Sequence, residues 1–136
     1  MDDEHLQIGE VAARTDLSIR TVRHYHDIGL VTPSERSAGG FRLYTEADVQ
    51  RLLVIRRMKP LGFTLAEMKE LLEALAVLEN STSSAQLRRQ AGATLDVLRG
   101  KAEGSCENLR RQLSYAEELT DLLTARLDAE ASSTTR

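Results

Sequence analysis

Thr21-Val22-Arg23-His24-Tyr25-His26-Asp27-Ile28-Gly29-Leu30, followed after a short gap by Gly40-Phe41-Arg42-Leu43-Tyr44, decides how the rest of the chain is read. The first run sets arginine, imidazoles and a tyrosine on a short helix, and the second is a ribbon that opens on glycine. Arginine forks onto phosphate or a guanine edge, tyrosine reaches phosphate, and a helix fits the major groove. The pairing predicts a head that reads DNA.

Upstream, Ile8-Gly9-Glu10-Val11-Ala12-Ala13-Arg14-Thr15 reads as a short helix with Ile8, Val11 and Ala12 on one face. Asp16-Leu17 forms a turn, Ser18 is a good N-cap, and a second helix runs from Ile19 to about His26, with Gly29 suited to its stop. Two short helices across a tight turn make a helix-turn-helix. The Ser37-Ala38-Gly39-Gly40 tip and the alternation after it predict a β-hairpin, the wing of a winged helix-turn-helix.

Downstream, Thr45 caps a third helix whose apolar side is Val49, Leu52, Leu53, Ile55 and Met58, ending near Pro60. Thr64-Leu65-Ala66-Glu67 is a capping box that opens a fourth helix with Met68, Leu71, Leu72 and Leu75 inward. Asn80-Ser81-Thr82-Ser83-Ser84 is a polar break. Beyond it, Ala102, Cys106, Leu109, Leu113, Ala116, Thr120, Leu123 and Leu127 recur at alternating spacings of 4 and 3, a coiled-coil seam. One helix cannot bury that seam alone, so these residues predict the interface of a homodimer. Gly92, Gly100 and Gly104 predict a bend or fraying before Ser105. The fold class is therefore mostly α, with a head over residues 6–78, a dimerisation helix over 83–128 and a disordered tail over 129–136.

Formal net charge is −3 over 136 residues, which by itself argues weakly against nucleic acid. Local distribution overrides it, since between Arg14 and Lys59 nine basic residues stand against five acidic ones, a local net of +4. No apolar run approaches a membrane span and the acidic start is wrong for a secretory signal, so a cytoplasmic, nucleoid-associated protein without membrane contact is expected. A lone cysteine, Cys106, excludes an internal disulfide framework. No catalytic triad, paired carboxylates or phosphate-cradling glycine loop is legible, so the reading is a non-enzyme.

Ile8-Gly9-Glu10-Val11-Ala12, Thr21-Val22-Arg23-His24-Tyr25, Gly29-Leu30-Val31-Thr32-Pro33, Gly40-Phe41-Arg42-Leu43-Tyr44, Asp48-Val49 and Leu61-Gly62-Phe63-Thr64-Leu65 resemble, in order and spacing, the MerR family of bacterial transcription regulators. The resemblance covers residues 8–75, and the long helix extends it over most of the chain. It implies an antiparallel coiled-coil dimer that binds a promoter with an overlong spacer, bends and untwists it, and so controls RNA polymerase. It implies DNA contacts at Ser18, Arg20, Thr21, Arg23, His24 and Tyr25 around the recognition helix, at Arg36, Gly40, Arg42 and Tyr44 on the wing, and at Arg56 and Lys59 after the third helix. Tyr25 is read as partly structural, and Phe41 as packing between wing and helices.

The chain departs from the family at His24 and His26, where a tyrosine and a glutamate are usual, and at Asp16, where a turn glycine is common and Asp tolerates the left-handed geometry. Metal-sensing relatives resemble one another in carrying cysteines near the start of the dimerisation helix and past its end. This chain has none at Ser81–Ser84 or after Leu122, and His5, His24 and His26 form no metal box with Cys106, so neither metal nor cofactor is expected. Cys106 reads as a small hydrophobe in the seam, with a redox-sensing thiol as the sharper alternative. Asp128–Arg136 is too short for a further ligand domain. A site for an effector, small molecule or protein, would therefore lie between the coiled coil and the head, or the effector would act through a second protein. Two other classes stand beside the regulator: an effector-independent architectural DNA-binding protein, and a helical module whose coiled coil recruits another protein.

Overall fold

The computed structural model describes residues 5–31, 35–36 and 42–134. The side chains of residues 35–36 lie outside what is described, as do Gly40, Phe41 and the expected wing tip. The chain divides into two compact units, Met1–Leu98 and Arg99–Arg136.

The first unit begins with a strand the sequence pattern does not reveal, β1 (Leu6–Gln7), followed by α1 (Ile8–Thr15), α2 (Ile19–Asp27), β2 (Glu35–Arg36), β3 (Arg42–Tyr44), α3 (Glu46–Met58), a single 3₁₀ turn at Lys59–Leu61, and α4 (Leu65–Glu79). The strands form an antiparallel sheet in the order β1-β3-β2, with Leu6 opposite Tyr44 and Arg36 opposite Arg42. The helix α5 (Ala85–Thr134) starts in this unit.

Local chemistry accounts for the helix ends. Asp16 takes the left-handed conformation (φ 56°) that stops α1 and turns the chain toward α2. The Ser18 hydroxyl accepts from the Thr21 N–H at 3.0 Å, capping α2. At the other end of α2, Gly29 sits at φ 83°, where a Cβ would be strained. That geometry lets Leu30 N–H return to the Tyr25 carbonyl at 3.0 Å. Thr45 and Asp48 form a reciprocal capping box on α3, and Thr64 and Glu67 one on α4.

The capped elements converge on a core in which Val11, Val22, Val31, Tyr44, Val49, Leu52 and Ile55 are essentially sealed from solvent. Each of the aliphatic members contributes roughly 1.5–3 kcal/mol of burial. Asp48 is buried among them with both oxygens occupied, one accepting from Thr45 N–H at 2.9 Å and the other from Arg51 Nη1 at 3.0 Å. That pairing is what lets a carboxylate sit inside.

Three expectations are corrected. The polar stretch after α4 is not a loose boundary but a built turn. Asn80 accepts from the Thr82 N–H at 3.0 Å, Ser83 Oγ donates to the Val77 carbonyl at 2.8 Å, and Ser84 Oγ accepts from Leu87 N–H at 3.2 Å. The division between units falls beyond it, after Leu98, because Ala74 of α4 and Ala91 and Leu98 of α5 are buried in the first unit. Helix α5 is continuous through Gly92, Gly100 and Gly104, and it runs to Thr134 where a disordered tail is expected after residue 128. The last turn is reinforced by Thr134 Oγ1 donating to the Glu130 carbonyl at 2.8 Å. In the second unit the seam faces solvent, with Leu109, Leu113, Leu123 and Leu127 at least half exposed and Cys106 exposed.

Candidate nucleic-acid interface

Helix α2, the expected recognition helix, is amphipathic in a simple way. Val22 and Tyr25 point into the core, whereas Arg20, Arg23, His24 and Asp27 are exposed. Spacings of three, four and seven residues place those four on one outward face. Ser18 and Thr21 lie at the start of the helix with their hydroxyls 2.8 Å apart, so both side chains serve the cap.

Two expected contacts are corrected by burial. Tyr25 is 3% exposed and Tyr44 is 0% exposed, so neither ring faces a DNA surface. Tyr25 anchors α2, and the Lys59 ammonium lies 6.0 Å from its ring centroid, at the edge of cation–π range. Tyr44 is fixed by pairing with Leu6 on β1 and by an edge-on contact with His26, whose ring centroid is 6.3 Å away. The Tyr44 hydroxyl is buried beside the Arg42 guanidinium and has no hydrogen bond of good geometry among the described residues. Burial pushes its pKa up, and the nearby Arg42 cation offsets part of that rise.

Arg42 joins the wing to the recognition helix. Its Nη2 donates to Asp27 Oδ1 at 3.0 Å, while Nη1 is buried without a hydrogen-bond partner among the described residues. Arg56, expected at the phosphate backbone, instead donates from Nη1 to the Thr15 carbonyl at 2.7 Å, tying α3 to the helix-turn-helix corner. The missed residues Arg14 and Glu46 form a second tie between α1 and α3, a two-point pair with one contact at 2.7 Å. That hydrogen bond raises the Arg14 pKa and lowers the Glu46 pKa. Arg36 lies opposite Arg42 on the sheet, and Gly40 falls outside the described residues. The exposed cations brought together are thus Arg20 and Arg23 on α2, with His24 beside them and Lys59 across Tyr25.

Small clefts also lie among the described residues of the first unit. One, about 160 Å³, is lined by Gln50, Arg51 and Val54 of α3 with Leu72, Leu75 and Glu79 of α4. Another, about 220 Å³, lies between α4 and the start of α5 around Ala74, Val77, Leu87 and Ala91. Both are below the roughly 300–1,000 Å³ typical of drug-sized ligand sites. Among the described residues no group of three or more His, Cys, Asp or Glu side chains converges on one point, and no helix is long and apolar enough to cross a membrane.

Comparison with known proteins follows the same geometry. A family model described as "MerR HTH family regulatory protein" matches residues 6–75, and one described as "MerR, DNA binding" matches residues 49–125. The chain is 37% identical over 111 residues to the HTH-type transcriptional regulator HmrR of Rhizobium leguminosarum bv. viciae, covering 81% of this chain and 82% of that one. It is 34% identical over 132 residues to the nodulation protein NolA of Bradyrhizobium elkanii, covering 96% of this chain but 58% of NolA. The chain therefore spans about half the length, or less, of several of its curated relatives. Among solved structures, HiNmlR, described as a MerR family regulator lacking the sensor domain and bound to promoter DNA, superposes with a TM-score of 0.62 at 21% identity. It covers 82% of this chain and 80% of that one, a likeness of fold.

Proposed function

Because this chain belongs to the MerR family of helix-turn-helix regulatory proteins, we propose that it is a homodimeric, sequence-specific transcription regulator that distorts the promoter it binds. The observation that carries the reading is the outward face of α2, where Arg20, Arg23 and His24 stand exposed while Val22 and Tyr25 anchor the helix from behind. Arg20 and Arg23 are assigned to the major groove, Arg42 and Lys59 to flanking phosphates. The solvent-facing Leu109, Leu113, Leu123 and Leu127 row supports a second copy, which sets the spacing of two heads. Fixed head spacing turns the stiffness and twist of the intervening DNA into a binding energy, so bending and untwisting can realign promoter elements for RNA polymerase. No catalytic step is assigned to any residue.

Selection of duplexes from a randomised pool, followed by titration of the enriched duplex and a scrambled one across a salt series, tests the proposal. Expected are dimer-sized complexes, steep salt dependence and a specificity ratio of about 10³ or more. Equal affinity for both duplexes overturns sequence-specific regulation. Arg23→Ala should reduce discrimination between the duplexes, and Arg42→Ala should weaken both alike.

A further inference from the structure

Asp27 sits where two general effects oppose a carboxylate. It is the last residue of α2, and the C-terminal end of a helix disfavours negative charge. It also shares the outward face with Arg20 and Arg23, where a negative group repels phosphate. What it gains is one contact across the fold, with Oδ1 accepting from Arg42 Nη2 of β3 at 3.0 Å. In that pair Asp27 is the exposed member, with 56% of its side chain accessible, and Arg42 the covered one at 24%. The other amino group of Arg42, Nη1, is buried. The guanidinium is thus held from one side by the recognition helix and enclosed on another by the head.

We propose that Asp27 is a positioning residue for DNA binding. It orients the Arg42 guanidinium at the junction of recognition helix and wing, so that the N–H groups on its accessible side, not the buried Nη1, meet phosphate already ordered. The inference rests on Arg42 being a phosphate contact, and the two claims separate by experiment. Charge alone says that removing a carboxylate from a DNA-facing surface tightens binding. Positioning says that it weakens binding.

The probes are the duplex most enriched by the wild-type chain and its scrambled counterpart, titrated with Arg42→Ala, Asp27→Ala, Asp27→Lys and the double variant Asp27→Ala/Arg42→Ala. Thermal melts check that each variant folds. Arg42→Ala should weaken both duplexes. Loss of one phosphate contact per head, two per dimer, should reduce the salt slope by about 1.8, which is about a 12-fold smaller loss of affinity between 50 and 200 mM salt. Asp27→Ala should move affinity and slope in the same direction, and Asp27→Lys should weaken binding despite adding positive charge. The double variant should bind no worse than Arg42→Ala, because Asp27 acts through Arg42. If Arg42→Ala weakens binding while Asp27→Ala or Asp27→Lys leaves it equal or tighter, the positioning role is overturned and the phosphate contact stands. If Arg42→Ala changes neither affinity nor slope, the phosphate contact itself is overturned.

Discussion

Replacing Arg56 by alanine separates a strut from a DNA contact. Arg56 Nη1 donates to the Thr15 carbonyl at 2.7 Å across 41 residues of sequence, at the corner where α1 gives way to Asp16. Thr15 is fully buried and its own hydroxyl is engaged with the Val11 carbonyl at 2.8 Å, so the side chain cannot turn to satisfy its backbone. A hydrogen bond from a charged donor contributes about 1.5–3 kcal/mol where sheltered, and the exposure of Arg56 reduces this to about 1–2 kcal/mol. For a chain of this size that corresponds to a melting temperature lower by about 4–8 °C. The assay is a thermal melt at fixed protein concentration, because the stability of the proposed homodimer would depend on concentration. It is paired with a salt-series titration on the enriched duplex. A strut lowers the melting temperature and leaves the salt slope in place. An unchanged melt together with a slope reduced by about 1.8 would refute the strut and return Arg56 to the phosphate backbone.

The Tyr44 hydroxyl is buried with no well-formed hydrogen bond among the described residues, so Tyr44→Phe is expected to stabilise by up to about 1 kcal/mol; a lower melting temperature than wild type would show that its approach to Arg42 contributes. The Glu46 pKa is lowered by its hydrogen bond to Arg14, so the pair's contribution is present above the ordinary glutamate value and lost as pH falls through the folded value. The melting-temperature gap between wild type and Glu46→Gln should therefore close on acidification, and a gap that widens there refutes the sign. Leu113→Glu combined with Leu123→Glu places charges on the exposed seam and should give a monomer by light scattering, whereas a persisting dimer mass would move the interface elsewhere. Counting only Arg20, Arg23, Arg42 and Lys59 in each of two heads gives a salt slope of about −7, whereas counting all nine basic residues from Arg14 to Lys59 gives about −16. A measured slope steeper than about −12 would show that the ion pairs within the head open on binding.

The elements of the head are legible because their ends are chemically local. Ser18, Thr45 and Thr64 each cap the N–H three residues on, and Asp16 and Gly29 tolerate positive φ. What escaped the sequence is non-local. A two-residue strand such as β1 has no periodicity to detect, and it exists because Tyr44 pairs with Leu6. The same pairing explains why the tyrosines mislead: chemistry that suits a phosphate contact also suits a large core anchor, and only the sheet decides which way Tyr44 faces. Helix α5 shows the converse. Its glycines each cost about 1 kcal/mol against alanine, which is small beside the propagation of a 50-residue helix.

The local charge of +4 turns out to be a poor count of what a phosphate could meet. Within that window Arg14 is committed to Glu46, Arg51 to Asp48, Arg56 to Thr15 and Arg42 to Asp27. Each tie links or stiffens elements: α1 to α3, the first turn of α3, α3 to the corner, and β3 to α2. A head this small has little core with which to fix the angle between recognition helix and wing, and arginines that bridge elements supply that rigidity from the surface. Basic residues here therefore divide between holding the head in shape, as Arg14, Arg51 and Arg56 do, and touching DNA, with Arg42 proposed for both. A residue in the first group changes affinity through geometry, whatever the sign of its charge. Asp27 belongs to the same logic from the acidic side, and that is why substituting it distinguishes shape from charge.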